Sequence, residues 1–131
     1  MAGRLTRVIR QTESSSVEDP LCRRALEELG VPSLKLNVRG NRAYPDRLFF
    51  VPGGRPTLIE LKRAGDEPRP LQLHVMDMLR RFGYDVAWFD DESAAFLHLA
   101  GAVEAARRAE EDDEVSDRTR RRLDPRRPRD R

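Results

Sequence analysis

The run Thr57-Leu-Ile-Glu-Leu-Lys62 constrains the fold more than any other stretch, because it is a β-rich segment with apolar residues on both of its sides. Period-two alternation puts Leu58, Glu60 and Lys62 on one face of a strand and Ile59 and Leu61 on the other. A strand that is apolar on both faces has to be covered on both faces, which calls for a sheet between layers of helices. A carboxylate and an ammonium inside such a strand must be paired or bound to something, since an uncompensated buried charge is costly. Taken alone, Glu60-x-Lys62 reads as a solvated pair on an edge strand; the residues around it reverse that reading.

The preceding run, Arg47 to Val51, is also β-rich, and Pro52-Gly53-Gly54 lies between the two, so they are expected to pair as an antiparallel hairpin. Asp46 stands where the first strand begins. With the turn centred on Gly54, Asp46 lies opposite Lys62 and diagonal to Glu60, with all three side chains on one face. A one-residue slip would separate Asp46 from the other two. Two acids and a lysine on one face form a set that phosphodiester chemistry needs.

At 131 residues there is room for one domain with one core. Cys22 is the single cysteine, which excludes an internal disulfide framework and a thiolate metal cluster and fits a reducing cytoplasm. No apolar run is long enough to span a bilayer, and no apolar secretory segment opens the chain. A formal net charge of +2 does not by itself announce a nucleic-acid binder, yet of the 25 basic residues only Lys35 and Lys62 are lysines. In a chain whose default cation is arginine, a retained lysine draws notice, because a compact ammonium can orient a water or neutralise a phosphate as a point charge.

The remaining elements follow from pattern. Ser14 to Ser16 offer an N-cap for a helix that runs to Leu29 and stops at Gly30, with Leu21, Cys22, Ala25 and Leu29 as its apolar stripe. Glu18 falls in the middle of that stripe, either as a first-turn acid favoured by the helix dipole or as part of a site. Leu34 to Val38 alternates as a half-buried strand, and the loop from Arg63 to Arg69 could lie against a substrate. Pro70 opens a second helix with the stripe Leu71, Val75, Met78, Leu79 and Phe82, and Gln72 flanks that stripe at the end where free N–H groups attract anions. Asp85 to Phe89 is a short strand, and Phe96, Leu99, Ala100 and Val103 mark a third helix. His74 and His98 have no metal-ligand spacing and read as ordinary helix residues. Residues 1–14 are expected to form a flexible arm, 15–108 the domain and 109–131 a disordered charged tail, acidic to Asp117 and arginine-rich from Arg118. Those arginines could grip phosphates or be held by the neighbouring acids.

The order αβββαβα, with Asp46 followed by Glu60-Leu61-Lys62, resembles the PD-(D/E)xK nuclease superfamily, and more narrowly the stand-alone virus-type replication-repair nuclease (VRR-NUC) domains of phages and bacteria. The resemblance runs from about Val17 to Asp91 and includes Val17-Glu18, Leu34-Lys35, Tyr44-Pro45-Asp46-Arg47-Leu48, Pro52-Gly53-Gly54, Ile59-Glu60-Leu61-Lys62, Pro70-Leu71-Gln72 and Phe82-Gly83-Tyr84. It implies an α/β restriction-endonuclease-like core, a mixed sheet flanked by helices, and a metal-dependent nuclease that hydrolyses DNA phosphodiester bonds, on branched or structured DNA in replication or repair. By that resemblance Asp46 and Glu60 would bind Mg2+ or Mn2+, helped by the backbone carbonyl of Leu61 and by Glu18, while Lys62 orients or activates the attacking water and Gln72 supports the site. Lys35, Arg47 and Arg63 are the candidate DNA contacts. The implied partners are DNA and a second copy in a homodimer, with no membrane, in the cytoplasm of a bacterium or a phage-infected host. The alternative is a non-catalytic DNA-binding or assembly subunit that retains the fold; loss of a metal ligand would favour it, and Asp46, Glu60 and Lys62 are all present.

Overall fold

A computed structural model describes residues 15–37, 40 and 42–126. Helix α1 (Ser15–Leu29) leads into β1 (Ser33–Lys35), β2 (Arg47–Phe49) and β3 (Thr57–Leu61), followed by α2 (Pro70–Arg81), β4 (Asp85–Phe89) and α3 (Glu92–Leu123). The sheet order is β1-β2-β3-β4, antiparallel across the first three strands and parallel between β3 and β4. Every residue of β3 is buried, as a two-sided apolar strand demands. On one face Phe49, Ile59 and Leu61 pack with Leu21 and Ala25 of α1 and Ala95 and Leu99 of α3. On the other, Leu58 and Val86 pack with Met76 of α2. The parity expected for β3 therefore holds: Leu58 and Glu60 face α2, Ile59 and Leu61 face α1 and α3.

The hairpin forms, but in another register. Arg47 pairs with Ile59, Leu48 with Leu58 and Phe49 with Thr57, so continuing the ladder puts Asp46 across from Glu60 and not from Lys62. The cause is an early exit from β2: the Val51 N–H turns back to donate to the Phe49 carbonyl at 3.0 Å, and the Phe50 N–H donates to the Pro32 carbonyl. The turn that follows is pressed against α3. Gly53 sits at φ +94°, and a Cβ there would lie 3.3 Å from that of Ala106, so glycine is needed both for the backbone and for the space. A shift of two residues preserves parity, which is why Asp46 stays on the face expected for it.

Three further expectations are corrected. The strand expected over Leu34 to Val38 is only Ser33–Lys35, with Leu34 53% exposed; Leu36 packs against the α2-side cluster from outside the strand, and Val38 lies outside the described residues. The buried face of α2 is Gln72, Val75 and Met76, with Leu71 63% and Phe82 73% exposed, so the stripe is rotated from the expected one and Gln72 belongs to it. Helix α3 continues to Leu123, through much of the stretch expected to be a disordered tail. Residues 107 to 123 are exposed all round, and this extension is held by local pairs: Arg107 with Glu104 and Glu111, Arg108 with Glu104, and Arg121 with Asp117 at 2.9 Å. The arginines of the last turn, Arg120, Arg121 and Arg122, also complement the helix dipole. The expected arm at 1–14 and the end at 127–131 lie outside the described residues.

Candidate active site

At the carboxyl end of β3 the chain brings together Asp46, Glu60, Lys62 and Gln72. Asp46 is fixed from both sides before β2 begins. Its backbone carbonyl accepts from the Leu36 N–H at 2.7 Å, and its Oδ2 accepts from the Leu61 N–H at 2.9 Å. Glu60, 3% exposed, accepts from Gln72 Nε2 at 3.0 Å on Oε1, which also lies 3.2 Å from Lys62 Nζ. Its other oxygen, Oε2, is buried with no hydrogen-bond partner among the described residues. The Lys62 N–H donates to the Phe89 carbonyl at 2.8 Å, which extends the β3–β4 pairing and anchors the lysine. Gln72 is used at both ends, since its Oε1 accepts from the Arg69 N–H at 2.9 Å and closes the first turn of α2. The second helix thus buries a glutamine in order to hold Glu60.

Two carboxylates and one ammonium leave this centre short of positive charge. Burial, then the Asp46 charge, pushes the Glu60 carboxyl up to about 7, against the lowering influence of Lys62. Burial also raises Asp46; the Leu61 N–H lowers it, Glu18 raises it and Lys62 lowers it. A buried acceptor without a donor, beside a second carboxylate, could seat a cation. Asp46 and Glu60 fit a hard divalent ion that takes few protein oxygens and keeps several waters. Among the described residues no three acidic, histidine or cysteine side chains are grouped closely enough to hold a metal alone.

Glu18, expected from the resemblance as a helper ligand, is near enough to Asp46 for its charge to raise the Asp46 pKa, and it is paired with two cations. It is 3% exposed, and its Oε1 accepts from Arg47 Nε at 2.7 Å and lies 3.6 Å from Lys35 Nζ. Of the other candidate contacts, Arg63 donates to Asp66 Oδ2 at 2.7 Å on the surface. His98, read as an ordinary helix residue, is bonded to Asp85 at 3.0 Å, and Asp85 accepts from Thr57 Oγ1 at 2.7 Å, which fastens α3 to the opposite end of the sheet. Nothing in sequence spacing signals that link. A groove of about 680 Å3 lies at that end, between the 52–55 turn and the alanine-rich face of α3, and contains none of the four residues above.

The charge imbalance has a consequence for folding. A group whose folded pKa is raised contributes stability that is full below its unfolded value and is lost as pH rises through the folded value. For Glu60 that window runs from the ordinary 4.5 to about 7. In EDTA the wild-type protein is expected to lose thermal stability across this window relative to Glu60→Gln, which cannot ionise. Adding magnesium at pH 8 should restore the wild type and leave the variant unmoved. Thermal melts of both proteins at pH 5 and pH 8, with and without the metal, check this; parallel profiles would remove the case for a strained carboxylate.

No family model matches the chain. It is 31% identical over 72 residues to "Putative nuclease p44" of Acyrthosiphon pisum secondary endosymbiont phage 1, a stretch that takes in 55% of this chain and 77% of the phage protein. A solved structure of a VRR-NUC domain is similar with a TM-score of 0.55 and 26% identity, over 71% of this chain and 96% of that one.

Proposed function

The chain belongs to the VRR-NUC nucleases, and from that membership we propose that it is a magnesium- or manganese-dependent deoxyribonuclease whose centre is Asp46, Glu60 and Lys62. The observation that carries the proposal is the unsatisfied Oε2 of buried Glu60 across from Asp46, with Lys62 alongside. Asp46, Glu60 and the Leu61 carbonyl would hold the ion. When bound, it would neutralise charge developing on the phosphate and lower the pKa of the attacking water.

The chain's own groups do the rest. Lys62 Nζ, held 3.2 Å from Glu60 Oε1, has further N–H donors with which to hold a water in line with the phosphorus. The water oxygen forms a bond to phosphorus, the bond from phosphorus to the leaving oxygen breaks, and the proton given up by the water passes to solvent or a neighbouring base. Gln72 keeps Oε1 of Glu60 fixed, which leaves Oε2 as the oxygen for the ion. The reading takes DNA as substrate, with branched or structured DNA as the favoured form and a homodimer as the favoured assembly.

Lys62→Arg tests it. A solvated half of an ion pair tolerates arginine, because an exposed pair contributes only about 0–1 kcal/mol. A positioned ammonium does not: the wider guanidinium would fork onto Glu60 or Asp46 and displace the water or the ion. Single-turnover cleavage of a panel of single-stranded, duplex, flap and four-way DNAs at saturating magnesium is expected to drop about a hundredfold, with DNA affinity in calcium little changed. A variant within a few-fold of the wild type would take Lys62 out of the mechanism, and a wild type inactive on every DNA would favour a binding subunit.

A further inference from the structure

The loop between β3 and α2 begins at Lys62 and ends at Gln72, so both of its ends are residues of the candidate centre, and a substrate that reaches Glu60 passes along it. Arg63 to Glu67 are exposed without a break, and Pro68 is the first buried residue after them. Burial therefore does not fix the course of this segment; hydrogen bonds do. At its far end Gln72 Oε1 accepts from the Arg69 N–H at 2.9 Å while Gln72 Nε2 donates to Glu60. At its near end the Lys62 N–H donates to the Phe89 carbonyl, and the chain then reverses in a turn closed by the Asp66 N–H on the Arg63 carbonyl at 3.0 Å. The Gly65 N–H of that turn donates to Asp90 Oδ2 at 3.0 Å.

The Asp90 side chain thus carries the connection between β3 and β4 past its last backbone bond. Gly65 lies at φ +87° with nothing within 4 Å of the place a Cβ would take, so glycine is required there by the backbone of the turn and not by a neighbour. Two adjacent aspartates follow β4, and only one of them serves α3. Asp91 is the N-cap, with its Oδ2 accepting from the Ala94 N–H at 2.9 Å. Asp90 is not part of that cap. A carboxylate that close to the centre repels the phosphates of a nucleic acid, and the bond to Gly65 is what it supplies in return.

We propose that Asp90 is a positioning residue for the substrate: by holding the turn 63–66 through Gly65 it keeps the loop from Lys62 to Gln72 as a fixed wall against which the nucleic acid docks beside the centre. The proposal rests on the nuclease reading above. It gives Asp90 a part in substrate binding and none in holding the ion, and it makes the acceptor oxygen of Asp90, not its charge, the feature that matters.

Asp90→Ala and Asp90→Asn both delete the negative charge, and charge alone would make both bind DNA more tightly. Positioning predicts a split between them. Asp90→Ala, which has no acceptor for Gly65, should raise KM about tenfold with kcat little changed, the pattern of lost uniform binding, while Asp90→Asn keeps an acceptor and stays close to the wild type. Gly65→Ala, strained at its positive φ, should show the same rise in KM, and the double variant Asp90→Ala with Gly65→Ala should be no worse than either alone, because both act on one turn. The measurement is steady-state cleavage of whichever single-stranded, duplex, flap or four-way DNA the wild type cuts fastest, with a magnesium titration and thermal melts of each variant alongside. An unchanged magnesium midpoint in the Asp90 variants supports the proposal. Tighter binding by both Asp90 variants, a raised magnesium midpoint, or a lowered melting temperature with KM unaltered overturns it while leaving the nuclease reading intact. A wild type that cleaves none of the four DNAs overturns both.

Discussion

Asp46→Asn is expected to lower single-turnover cleavage about a thousandfold, the upper scale for removing one element of a preorganised electrostatic site, while the protein stays folded. The asparagine Oδ1 can still accept from the Leu61 N–H, which Asp46 Oδ2 does at 2.9 Å, so the junction before β2 keeps its tie to β3. What disappears is the charge. Burial holds the Asp46 pKa above its ordinary value, so the ionised form is disfavoured in the fold, and the neutral variant should be as stable as the wild type or more so above that pKa without metal. The combination of lost activity with retained or raised melting temperature in EDTA distinguishes a functional carboxylate from a structural one. Cleavage near the wild-type rate would rule out Asp46 as part of the centre, and a fall in melting temperature would mean that its hydrogen bond, not its charge, is what matters.

The second large effect is on stability. Phe49→Ala should cost about 3–5 kcal/mol, because the ring is fully buried between the sheet and helices α1 and α3 and its removal leaves a cavity. Against a typical total of about 5–15 kcal/mol this brings the protein close to unfolding. The adjacent Phe50 is 52% exposed, and Phe50→Ala should change stability by no more than about 0.5 kcal/mol. Urea denaturation of both variants, with the slope unchanged from wild type, is the check. A larger loss from Phe50→Ala than from Phe49→Ala would mean that this segment faces the core with the other parity.

A charged extension that forms a helix shows how composition misleads when order matters. Blocks of like charge are expected to stay unfolded, yet in residues 107 to 123 the blocks are arranged so that acid and arginine meet three or four positions apart, as Asp117 and Arg121 do. Reading the pairs, and not the totals, would have extended α3.

What the sequence by itself determined are the properties that depend only on local period. The two-sided burial of β3, the shared face of Asp46, Glu60 and Lys62, the stripe of α1 through Leu21 and Ala25, and the order of elements follow from residue spacing, and a register shift of two residues leaves parity untouched. What the tertiary structure alone decided are the matters settled between elements. The hairpin register depends on where β2 leaves the ladder, and that exit is fixed by Pro32 and by the turn's contact with α3. A glutamine reads as polar surface until Glu60 supplies the partner that makes its burial favourable, so the true inner face of α2 was out of reach of periodicity. Glu18 likewise could be placed on its helix face by counting, but its pairing with Arg47 depended on a residue 29 positions further along the chain, because a buried charge takes its meaning from the partner that packing brings to it.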